Sequence, residues 1–155
     1  MACCAEWTKN GGSTQPYEPR ANAAEMPMGV SAVAVELNHT IIHAQDRQAS
    51  AEFLARILDL EVGAPTGPFV PVTTSNGVTL DFMNADRDAI SAQHYAFLVT
   101  EEEFDGIFKR VQEGDVSYYA DPAMRQAGQI NTRGGGRGFY FADPVGHAME
   151  VLTRA

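Results

Sequence analysis

Apolar residues along this chain follow two different spacings in turn. Val33–Ala44 (VAVELNHTIIHA) and Gln93–Thr100 (QHYAFLVT) are rich in β-branched and aromatic residues and predict strands. After Asp46, a good N-cap, Phe53, Leu54, Ile57 and Leu58 form one stripe of a helix over Arg47–Leu58. After Thr100, which with Glu103 has capping-box spacing, Phe104, Ile107, Phe108 and Val111 form the stripe of a second helix. Strand-like PFVPVTT and VTLDFM flank the turn pair Asn76-Gly77. The second half continues with VSYYA, a long Gly/Arg loop over 121–138, the strand FYFA and the closing strand HAMEVLT. Between these last two strands, Asp143-Pro144-Val145-Gly146 has type I turn chemistry, with Pro second and Gly fourth.

The two halves are copies of one pattern. His39 opens the apolar part of the first strand, and His94 holds the same place in the second half. Gly77 precedes Asp81 by four residues, and Gly146 precedes Glu150 by four. This register predicts an α+β domain over 32–155 built from modules 33–86 and 91–154, with a flexible tail at 1–31 that is rich in Gly, Pro, Asn, Ser and Ala.

Charge then narrows the functional classes. Twenty acidic against eleven basic side chains give a net charge of −9, which repels phosphate backbones and anionic lipid; neither nucleic acid nor membrane is an expected partner. No apolar run approaches the ~20 residues that span a bilayer. The start, MACCAEWTKNGG, lacks the features of a secretory signal. The only cysteines, Cys3 and Cys4, are adjacent, so a disulfide framework is not expected and a cytoplasmic location is.

Side chains alternate across a strand. With helices covering the apolar faces, His39, Asp81, His94 and Glu150 all project from the opposite face, where a curved sheet formed by both halves would gather them. Imidazoles and carboxylates clustered there need a compensating charge, which a divalent cation supplies. Two imidazoles and one carboxylate form the facial set of non-haem iron sites; adding Asp81 as a fourth ligand would suit an octahedral Lewis-acid site instead. His43 shares the face of His39, ~13 Å along the strand, and is a candidate proton shuttle. His147, an odd number of residues from Glu150, reads as structural. Arg133 and Arg137 could clamp a substrate carboxylate or simply be solvated loop residues.

At LNHTIIHAQDRQASAEFLARILDLEVG, QHYAFLVTEEEFDGIFKRV and GGGRGFYFADPVGHAMEVLT the chain resembles the vicinal oxygen chelate superfamily, which includes glyoxalase I, extradiol dioxygenases, fosfomycin-resistance enzymes and bleomycin-binding proteins. The resemblance implies paired βαβββ modules, a cupped, mostly antiparallel eight-stranded sheet with helices on its outer face, and a homodimer. It implies that His39, His94 and Glu150 are metal ligands, with Asp81 where glyoxalase-type members carry a carboxylate. Tyr140 stands near the position of an extradiol dioxygenase tyrosine. One divalent ion per site (Fe, Mn, Ni, Zn or Co) and a small-molecule substrate follow. No histidine lies between His43 and His94, so the dioxygenase acid–base histidine is missing. That favours a lyase or isomerase moving a proton through a metal-stabilised anion. The alternatives are an iron(II) extradiol-type ring-cleaving dioxygenase and a metal-free, bleomycin-resistance-like binding protein.

Overall fold

The computed structural model describes residues 35–155; the predicted tail at 1–31, with Cys3 and Cys4, lies outside them. The first half runs β1 (His39–Ala44), α1 (Arg47–Leu58), β2 (Phe69–Thr73) and β3 (Thr79–Asn84). A 3-10 turn at Arg87–Ala89 leads to β4 (His94–Leu98), α2 (Glu101–Glu113), β5 (Tyr118–Tyr119), β6 (Gly138–Ala142) and β7 (Ala148–Leu152).

Each helix starts where its cap dictates. The Asp46 carboxylate accepts from Gln48 N and Ala49 N, both at 3.0 Å, satisfying two of the amides a helix start leaves without partners. Thr100 and Glu103 complete a reciprocal capping box on α2. Asp46→Ala should therefore lower the unfolding free energy by about 1 kcal/mol, read as a shift in denaturant midpoint at unchanged slope.

The halves give two mixed sheets, ordered β1-β3-β2 and β4-β7-β6-β5. In each, the opening strand pairs in parallel with the closing one and the remaining pairs are antiparallel. Seven strands form among the described residues, against the eight expected. The counterpart of β5 in the first half is a single bridge, Val62 to Val72. Asp59 there ends α1 in the left-handed region (φ 61°), and Gly63, Pro65, Gly67 and Pro68 leave too few donors and too much backbone freedom for a longer ladder.

Alternation works as read from the sequence. Ile42, Ala44, Val70, Val72, Leu80 and Phe82 turn into the core beneath α1, and Phe139, Phe141, Met149 and Val151 do so in the second sheet. Phe139 is the hub of an aromatic cluster, with Phe104 at 5.3 Å and Phe108 at 5.4 Å between ring centroids. Phe53 on α1 reaches Phe141 at 6.2 Å, tying the first helix to the second sheet. Tyr118 belongs to this cluster, 5.0 Å from Phe108, and not to the opposite face.

Polar bonds also join the halves. His147 is 1% exposed, and its Nδ1 accepts from Gln93 N (3.0 Å) while Nε2 donates to His43 O (2.9 Å). Those two partners fix one neutral tautomer, and the structural role read for His147 stands. Arg110 Nε donates to Ile57 O at 2.8 Å, linking the ends of the two helices.

Candidate metal centre

The faces opposite the helices carry the polar residues. In the second sheet, Glu150 on β7 lies between Ala96 on β4 and Tyr140 on β6 in strand register. His94 opens β4 on the same face as Ala96, because the two are two residues apart. The side chains converge: His94 Nε2 is 3.0 Å from Glu150 Oε2, and Tyr140 O–H donates to Glu150 Oε1 at 2.5 Å. The His94 and Tyr140 rings are 5.9 Å apart. Glu150 thus has one oxygen held by the phenol and one turned toward the imidazole. Burial, then the bond to Glu150 and its negative charge, push the Tyr140 hydroxyl well above the usual phenol range, so it stays a donor at physiological pH.

Two donors each about 2.1 Å from one ion at a right angle stand about 3.0 Å apart. The His94–Glu150 pair has that spacing, and its side chains are 40% and 16% exposed, which leaves the pair open to an ion and a ligand.

The first sheet carries the other predicted residues. His39, Ile41 and His43 on β1 share a face with Asp81 and Met83 on β3, with Ile41 opposite Asp81 and His43 opposite Met83. His39 is exposed, with Nδ1 2.9 Å from Asn38 Oδ1. His43 points its side chain outward while its carbonyl is bound by His147. Among the described residues, no three His, Cys, Asp or Glu side chains of one chain come close enough together to hold an ion. One chain therefore gathers His94, Glu150 and Tyr140, whereas His39, His43 and Asp81 stand on the other sheet. β1 and β4, the strands that carry His39 and His94, are each the outer strand of their sheet.

The loop after β5 holds what sequence reasoning missed. Asp121 is 5% exposed and accepts from Ala123 N (3.1 Å), Arg125 N (3.0 Å) and Gln126 N (2.7 Å). Asp-Pro at 121–122 is a turn-starting signal that could have marked it. Burial raises its pKa, but the three amides outweigh this and hold it below the usual range. A depressed folded value stabilises the loop above the ordinary aspartate range, ~3.9, and that stabilisation is lost as pH falls through the folded value. Hydrogen exchange of the Ala123, Arg125 and Gln126 amides should accordingly keep its protection through the ordinary aspartate value of ~3.9 and lose it, relative to neighbouring helix amides, only at lower pH. In Asp121→Ala it should be absent at every pH.

Arg137 is structural. Its guanidinium binds Glu101 Oε2 at 2.6 Å and Asp105 Oδ1 at 2.7 Å, and stacks 4.3 Å over Phe104.

The family model for the glyoxalase/bleomycin resistance protein/dioxygenase superfamily matches residues 36–151. The chain belongs to that superfamily. Two solved structures, each 55% identical with a TM-score of 0.76, share its fold: oxidase ChaP-H2, covering 78% of this chain and 94% of that one, and oxidase ChaP-H1, covering 79% and 98%. Glutathione transferase FosA of Serratia marcescens is 29% identical over 121 residues, 74% of this chain and 78% of the relative. Among the described residues, no helix of this superfamily member is long and apolar enough to cross a membrane.

Proposed function

We propose that the chain is a divalent-metal-dependent oxidoreductase that binds a small substrate through two adjacent oxygens and oxidises it with dioxygen. The observation that carries this is the His94–Glu150 pair at 3.0 Å, buttressed by Tyr140. The 55% identity to two proteins named as oxidases favours oxidation over the lyase or isomerase chemistry that the absent histidine favours.

His94 and Glu150 would hold the ion together with His39 from a second copy of the chain, and Asp81 of that copy would stand near as a further carboxylate. Outer strands β1 and β4 offer unpaired edges, and Ile41 (42% exposed) and Leu98 (50%) lie on them, so pairing β1 of one copy with β4 of the other would cover apolar surface and close the cup. When bound, the ion supplies Lewis acidity toward the substrate oxygens and open positions for dioxygen. Tyr140 fixes the carboxylate of Glu150 through its short bond and keeps its own proton. His43, outward on β1, is the imidazole left to take a proton from the substrate hydroxyl.

The test is dioxygen uptake by protein reconstituted anaerobically with iron(II) and then given caffeate, a small catechol. Uptake matched to substrate loss supports the reading. Turnover of glutathione–methylglyoxal without dioxygen uptake would move it to the lyase/isomerase class. Metal content under ~0.1 equivalent after reconstitution with Fe, Mn, Ni, Zn or Co would leave only the metal-free binding protein.

A further inference from the structure

The loop between β5 and β6 stands over the same face as Tyr140 and Glu150. Gly138 precedes Tyr140 by two residues and shares its face. A Cβ at Gly138 would lie 3.2 Å from Asn131 Nδ2 and Oδ1, so the Asn131 amide covers that spot. Asn131 is fixed there, since Nδ2 donates to Ala120 O (3.0 Å) and its backbone exchanges two bonds with Gly138 (2.7 and 2.9 Å). Its Oδ1 accepts from Arg133 N at 3.2 Å, which sets the start of the turn that carries Arg133. Gly134 (φ 60°) and Gly135 (φ 76°) then reverse the chain in conformations that other residues rarely take.

Arg154 lies across this turn. A Cβ at Gly136 would come within 2.9 Å of Arg154 Cβ and 2.8 Å of Thr153 Oγ1, so only glycine admits the arginine stem, and Arg154 Nη1 is 3.8 Å from the corresponding point on Gly135. Of the arginines around this turn, Arg137 is engaged by Glu101 and Asp105, whereas the guanidinium groups of Arg133 and Arg154 have no hydrogen-bond or ion-pair partner among the described residues. In a chain of net charge −9, with carboxylates at the cup itself, an anionic substrate would be repelled unless a local cation met it.

We propose that Arg133 and Arg154 form an anion-reading rim that selects substrates bearing a carboxylate beyond the two chelated oxygens. This rests on the vicinal-oxygen reading above and names the substrate class within it. The guanidinium fork matches a carboxylate bidentately, and the glycine turn seats the stem of Arg154 against the turn that Arg133 opens.

Caffeate and its methyl ester differ at that end only by the charge. Their binding to zinc-loaded protein, which does not oxidise them, can be measured by calorimetry. Wild type should bind caffeate about ten-fold more tightly than the ester, the size of a charge-assisted hydrogen bond. In the Arg133→Gln/Arg154→Gln double variant the ratio should fall to about one, with zinc uptake and melting temperature showing that the variant is folded and loaded. A ratio unchanged in that variant, or a wild-type ratio already near one, overturns the rim. If zinc loads but neither compound binds, the vicinal-oxygen reading itself fails and the rim with it.

Discussion

Mixing separately purified His39→Ala and Glu150→Ala chains should restore about one quarter of wild-type metal capacity, although neither variant binds metal by itself. Each single substitution removes a proposed ligand from both sites of a symmetric dimer, and the loss of affinity should exceed the about 10–100-fold typical of residues that only orient a ligand. Random reassortment makes about half of the dimers mixed, and in each mixed dimer one site has His39 from one chain with His94 and Glu150 from the other, all native. The prediction follows from geometry. His94 and Glu150 already stand 3.0 Å apart, while no third ligand of the same chain joins them among the described residues. Metal content after dialysis, measured on each variant and on the mixture after subunit exchange, reads the outcome. A mixture as empty as its parents means that the ligands are not shared between chains. Metal retained by Glu150→Ala alone means that the centre lies elsewhere.

Phe139→Ala should cost about 3–5 kcal/mol of stability, the largest effect expected of any single core truncation here. Phe139 is fully buried and touches the rings of Phe104, Phe108, Tyr118 and Phe141, so its removal leaves a cavity walled by rigid aromatics that cannot collapse. β6 also carries Tyr140 next to it, facing Glu150 and His94. Chemical denaturation gives the stability change. A loss below about 1 kcal/mol would mean that the cluster relaxes and that the second half is held by something else.

Much of this was legible in the chain itself, for identifiable reasons. α1 begins at Arg47 because Asp46 is chemically suited to receive its free amides, and α2 begins after Thr100 for the same reason; caps are local, so sequence discloses them. The faces of His39, Asp81, His94 and Glu150 followed from strand alternation, which has a period of two and little room for error. Two things were not legible. The missing strand near Val62 depended on whether two prolines and two glycines permit one bridge or several, which neighbours decide. The separation of His39 from His94 depended on how two sheets sit relative to each other, and periodicity within a strand carries no information on that. Arg133 and Arg137 looked equivalent in RGGGRG, yet Arg137 faces the acidic first turn of α2 and Arg133 does not. That difference arises from where the chain returns after the loop, beyond the reach of spacing.

The imidazole of His147 has a kinetic consequence. Its ring accepts the Gln93 amide from one half while donating to the His43 carbonyl of the other, and it is almost fully shielded from solvent. The Gln93 proton can escape only when that latch opens, so its exchange rate should report how often the two halves part company, separately from fraying within either one. A single slow amide would then measure the cohesion between duplicated halves, a quantity that global unfolding averages away.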